Sequence, residues 1–128
     1  MTRRKVRVRV LSKEDKKAVA ERCERFIAEV LVPRFLPEIR PTGFNYPVAL
    51  HGKWNGDRYR FPQRYRSGFP ENEGEEFDEP FARLDHESGE RFHLMWHRHT
   101  GQWPCFRPSV MLEEALHLIE TEGLVQPR

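Results

Sequence analysis

Cysteine is nearly absent from this 128-residue sequence: Cys23 and Cys105 are the whole supply, and they stand far apart. With no Cys-x-x-Cys pair, a zinc cluster built on thiolates is not expected. Long apolar runs are missing too, and none approaches the roughly 18 residues that signal a membrane-crossing helix. No membrane association is expected. Residues 1–10 carry basic groups without an apolar h-region, which predicts no secretory signal. No Asn-x-Ser/Thr site occurs. The expectation is a cytoplasmic protein with both thiols reduced. Catalytic signatures are equally scarce. There is no Gly-x-Ser-x-Gly, no phosphate-binding Gly-x-x-x-x-Gly-Lys and no dinucleotide fingerprint. No cofactor is expected.

What is present suits one folded domain over residues 1–128. Leu, Ile, Val and Phe together supply 31 residues, about 24% and above the roughly 20% below which chains tend to be disordered. The net charge of +2 hides local imbalance. Residues 1–10 hold five basic groups and no acid, and residues 71–79 hold six acids and no base. Arginine supplies 17 of the 22 basic groups. Its planar fork favours bidentate and stacked contacts, so the composition leans towards anion recognition or ion pairing within the fold.

Local patterning gives an order of elements. Val6, Val8 and Val10 alternate with Lys5, Arg7 and Arg9, which predicts a strand. Ser12 with Asp15 forms a capping-box pattern. Val19, Cys23, Phe26, Ile27, Val30 and Leu31 then make one stripe of a helix over residues 13–31, ended by Pro33. An extended connection should lie on the core through Phe35 and Ile39. Asn55-Gly56 between two alternating runs predicts a hairpin. A two-residue turn there sets Trp54 against Asp57, Leu50 against Phe61 and Tyr46 against Tyr65. Pro47 and Pro62 imply an edge or bulge nearby. Residues 71–79 read as an acidic loop. Residues 80–85 and 91–98 read as strands joined through Glu87-Ser88-Gly89, with Leu84 opposite Phe92 and Asp85 opposite Arg91. Thr100-Gly101 turns into a last strand, and Ser109 caps a helix carrying Leu112, Ala115, Leu116 and Ile119, stopped near Gly123. The fold class expected is α+β: an antiparallel meander of four to six strands with an N-terminal and a C-terminal helix packed on one face. Its core should gather Leu50, Phe61, Phe92, Leu94, Trp96, Leu116 and Ile119 with Phe26 and Val30.

Two constellations carry chemistry. The hairpin register gathers Lys53, Arg58, Arg60, Arg64, Arg66 and His51 on one face, away from Tyr59, Phe61 and Tyr65. No acid is expected among them, so their fields should add. Basic groups at period two can follow phosphates, and the bland reading is a solvated face paired with the acids of 71–79. The second constellation is His93, His97 and His99, which share a strand face with Met95, same-face residues two apart standing about 7 Å from each other. Zinc wants a third and fourth ligand. A two-residue turn places Cys105 opposite Trp96, on the wrong face; a three-residue turn moves it. His51 and His97 with Arg60 would be the acid–base pair of a histidine-based hydrolase, but nothing in the pattern brings them together.

Four stretches resemble a family of small bacterial proteins catalogued only as a domain of unknown function. They are Glu79-Pro80-Phe81-Ala82-Arg83, then Phe92-His93-Leu94-Met95-Trp96-His97-Arg98, then Gly101-Gln102-Trp103, then Leu112-Glu113-Glu114-Ala115-Leu116. The resemblance covers roughly residues 78–120, and its residues are chiefly those of turns and core. It implies a shared fold and a bacterial source, and it carries no catalytic residue across. The leading expectation is a small accessory or binding module that recognises nucleic acid or an acidic protein surface through the arginine-rich hairpin. The alternative is a small histidine-based hydrolase or metal-binding protein. Oligomeric state is left open.

Overall fold

Ser12 opens the first helix as expected: its hydroxyl accepts from Asp15 N–H at 3.0 Å, and its own N–H donates to the Asp15 carboxylate at 3.2 Å. The computed structural model describes residues 11–128, so the strand expected over residues 5–10 lies outside the described residues. Helix α1 spans Lys13–Phe26. Pro33 does not end it. The helix widens into a π segment, Ile27–Leu31, and continues as α2, Val32–Phe35. Proline lacks an N–H and its ring presses on the carbonyl four residues back. The π segment relieves this one residue earlier, where Val32 N–H donates to Ile27 O, five residues back.

Six strands follow: β1 Asn45–Leu50, β2 Lys53–Asn55, β3 Arg58–Ser67, β4 Glu76–Ser88, β5 Arg91–Trp96 and β6 Cys105–Met111. They form one antiparallel sheet in the order β1-β3-β4-β5-β6, with β2 also on β3. Helix α3, Leu112–Thr121, closes the element order with a short 3-10 turn, Gly123–Val125. The architecture is therefore α+β, a six-stranded antiparallel sheet with a helix towards each end of the chain.

Both long hairpins are two residues out of the expected register, for one reason. The central turn residues are Gly56-Asp57 and Gly89-Glu90, so the glycine leads. Gly56 has φ +65° and Gly89 φ +55°, and a glycine first in a two-residue turn is the type II′ pattern. Asn55 and Ser88 become strand residues. Trp54 consequently faces Tyr59, Leu50 faces Gln63, Leu84 faces Leu94, and Asp85 faces His93 instead of Arg91. A slip of two residues keeps every side chain on its expected face, whereas a slip of one inverts them.

Bulges add to this. In β1 the register shifts between Pro47 and Ala49, which sets Tyr46 opposite Arg66 and Pro47 opposite Tyr65. In β4 the extra residue is Phe81, since Phe61 pairs with Ala82 but Pro62 pairs with Pro80. Phe81 and Ala82 both enter the core. Residues 71–79 are not all loop. Pro70–Asn72 is a 3-10 turn, and β4 already begins at Glu76. The third turn holds three residues, with Arg98 N–H donating to Gln102 O at 2.9 Å, and Cys105 pairs with Met95.

One hydrophobic cluster joins Cys23, Phe26, Ile27 and Leu31 to Tyr59, Phe61, Leu84, Phe92 and Leu94 of the sheet and to Leu116 and Ile119 of α3. Leu50 is buried with them, while Trp96, Val30 and Phe35 are half-buried at its margin. Ile39 is exposed, against expectation. Trp54 Nε1–H donates to Lys16 O at 2.9 Å, and Arg22 grips Glu113 with two bonds of 2.8 Å. These tie α1 to β2 and to α3. Ser109 does not cap α3; Met111 is the N-cap residue. Ser109 instead sits inside β6 with φ +53°, its N–H donating to His93 Nδ1 at 3.2 Å and its carbonyl accepting from Arg91 Nη1 at 2.8 Å.

A candidate anion site on the polar face of the sheet

Strand alternation separates the two faces. Tyr59, Phe61, Leu84 and Leu94 enter the core, while Arg58, Arg60, Arg83 and Asp85 alternate with them. The structure places Lys53, Arg58, Arg60, Arg64, Arg66 and His51 together on this second face. It also brings acids there, which corrects the expectation that none stands among them. Arg64 faces Asp78 and bonds it at 3.0 and 3.4 Å. Arg66 faces Glu76 at 2.8 Å. His51 Nε2 lies 3.4 Å from the same Asp78, and Arg58 lies 3.9 Å from Asp85. The Arg64 fork, helped by His51, holds the Asp78 carboxyl below its ordinary range. The cause is the Phe81 bulge. Were Phe81 paired with Pro62 instead of bulging, the straight register would set Arg64 against Glu79 and Arg66 against Phe77.

Two of the six cations escape this ladder. Lys53 faces Arg60, and Arg60 faces Arg83. The same register row continues through Met95 to Cys105. Three cations therefore occupy consecutive cross-strand positions, an arrangement that opposes strand pairing. Only Arg83 is neutralised. It is 5% exposed and bonds Asp85 at 2.6 and 2.9 Å, and its guanidinium lies 4.5 Å from the Trp103 ring centre. Among the described residues neither Lys53 nor Arg60 forms an ion pair, and Arg60 Nε is buried without a hydrogen-bond partner.

Trp103 extends the site. Its ring centre is 4.8 Å from the His97 imidazole, whose Nδ1 is likewise buried without a partner. Partial burial lowers the His97 pKa from its ordinary value. The other histidines go elsewhere. His93 accepts from Ser109 N–H, and His99 is exposed in the third turn. Cys105 shares the strand face of Met95 after all, yet among the described residues no group of three His, Cys, Asp or Glu side chains is gathered to hold a metal. Cys23 is buried in the core, and its thiol is pushed up to about 12 by that burial. No helix among the described residues is long and apolar enough to cross a membrane.

Arg83, Asp85 and Trp103 escaped sequence reasoning as site residues. The signal was there: Arg83 alternates with Ala82 and Leu84, which assigns it to the polar face. Its place beside Arg60 needed the register.

A family model described as Domain of unknown function (DUF3024) matches residues 11–125. The chain belongs to this family. The DUF3024 match is wider than the resemblance over residues 78–120, and it takes in every element from α1 to the final 3-10 turn. The whole cationic row and Trp103 lie within the DUF3024 domain. No curated protein and no solved structure matches the chain.

Proposed function

We propose that this DUF3024 domain is a small cytosolic binding module that seats an acidic group of a protein partner on the cationic row of its sheet. In this reading both helices cover the apolar face and leave the polar face open. One observation carries it: Lys53 and Arg60 stand opposite each other as like charges, and among the described residues no acid is paired to either. Like charges in direct cross-strand register weaken a hairpin, and an arriving carboxylate removes that penalty. The paired Arg64 and Arg66 are already satisfied. A nucleic acid strand needs a longer run of free cations, and Asp78, Glu76 and Asp85 interrupt this face.

Binding of a labelled glutamate-rich peptide and of a labelled single-stranded oligonucleotide at low salt tests the reading. The peptide should bind, lose affinity in Lys53→Glu/Arg60→Glu, and keep it in Arg64→Gln. Absence of peptide binding by the unaltered protein overturns the proposal. Oligonucleotide binding with a salt slope of about −3, the value for four phosphates on single strands, would instead favour a nucleic acid partner across the whole arginine face.

A further inference from the structure

The cationic row leaves a second orphan nitrogen unexplained. Arg60 Nε and His97 Nδ1 are both buried and both lack a hydrogen-bond partner among the described residues. Trp103 links their surroundings, because its ring contacts His97 on one side and covers Arg83, the cross-strand neighbour of Arg60, on another. Arg60 Nε–H is a buried donor left unpaired, which costs free energy, and His97 Nδ1 becomes a second one when it carries a proton, so one acceptor between them serves both. An oxyanion fits both: it accepts from a guanidinium N–H and from an imidazolium N–H, and it accepts nothing from a bare imidazole nitrogen.

We propose that His97 is the third side chain of this oxyanion site, beside Lys53 and Arg60, and that it takes up one proton when the anion binds. The inference rests on the reading that the Lys53–Arg60 row binds an acidic group. The charges that act on His97 come from three elements: Glu79 of β4, Arg60 of β3 and Arg128 near the chain's end. Arg128 also donates to the His97 carbonyl. Burial opposes a charged ring first; Glu79 works the other way, while Arg128 and Arg60 add to the opposition. An anion on Arg60 offsets the guanidinium and gives the protonated Nδ1 an acceptor. In the free protein His97 is therefore neutral at neutral pH, and in the complex it is an imidazolium.

The affinity for an oxyanion should then rise as pH falls, by roughly tenfold per pH unit between the free and bound midpoints of His97. Sulfate is the probe, because it stays a dianion throughout. Its binding and the ring-proton shifts of His97 are followed by NMR between about pH 7.5 and about pH 5.5, with His97→Gln used to assign the signal. Support is an upward move of the His97 midpoint in saturating sulfate, together with at least a tenfold gain in affinity over that range. In His97→Gln the gain should shrink below about twofold. Sulfate binding that depends on Arg60 but leaves the His97 midpoint unmoved overturns the role of His97 and leaves the cationic row intact as a site. Absence of any Arg60-dependent sulfate binding at either pH overturns both.

Discussion

The two halves of β3 carry the same residue type on the same face and put it to opposite use. In the C-terminal half, Arg64 and Arg66 meet Asp78 and Glu76 and become counterions of their own fold. In the N-terminal half, Arg60 meets Lys53 and Arg83 and stays a cation without an internal partner among the described residues. The difference lies wholly in the neighbours. An arginine-rich strand is therefore no measure of positive surface until the register of the next strand is known. Where a fold holds like charges in direct register, it gives up stability that a binding partner can return.

The comparison breaks first if the faces are wrong. Leu94 is fully buried on the apolar face, and Leu94→Ala should cost about 2–5 kcal/mol in chemical denaturation. An unchanged midpoint would show that the strand faces are inverted. Next comes the one cation of the row that is neutralised. Arg83→Met leaves Asp85 half-buried with only the distant Arg58, and should cost about 3 kcal/mol. A loss much smaller than that would mean Asp85 is solvated.

Smaller effects sharpen the contrast between the halves. Lys53→Glu turns a like-charge pair into an opposite one, and should raise stability by about 0.2–1 kcal/mol while abolishing anion binding. A destabilised Lys53→Glu would remove the argument that the row is strained by repulsion. Last is the ladder. Asp78 is depressed below its unfolded carboxyl value, so its contribution is complete above that value and is lost as pH falls through the lower folded one. In Arg64→Gln its titration midpoint should move up towards the ordinary carboxylate value. A midpoint that stays put would show that His51 alone sets it.

Much of the fold was legible in residues that report locally. Ser12 with Asp15 marked the helix start, the stripe from Cys23 to Leu31 marked its buried side, and alternation in β3 and β5 sorted core from surface. Glycine marked each turn but not its own position within it. Asn-Gly at 55–56 suggests a turn centred on both residues, and the chain places Gly56 first instead. Because the resulting slip is even, the core survived the error and the pairing did not. The paired arginines were illegible for a further reason. Period two has no marker for a change of phase, and nothing before Phe81 announces that Asp78 and Leu84, both even-numbered, face opposite sides. The His97–Trp103–Arg83 contact depends on how the third turn folds back, which three-dimensional closure decides.

The extra residue in β4 acts like a dislocation in a crystal lattice. On one side of it the strand is in phase with the charged ladder, and on the other with the hydrophobic core. Each domain of order is then free of the other's alternation. Chain length in this stretch is correspondingly counted in frames. Removing Phe81 heals the dislocation and leaves both the pairing of Phe61 with Ala82 and the ladder of Arg64 with Asp78 and Arg66 with Glu76 in place. Removing a second residue, Pro80, carries Asp78 opposite Gln63 and Glu76 opposite Tyr65, on the other side of the sheet. Loss of the one extra residue should therefore be tolerated, whereas loss of two exposes Arg64 and Arg66 as new free cations and widens the anionic specificity of the face.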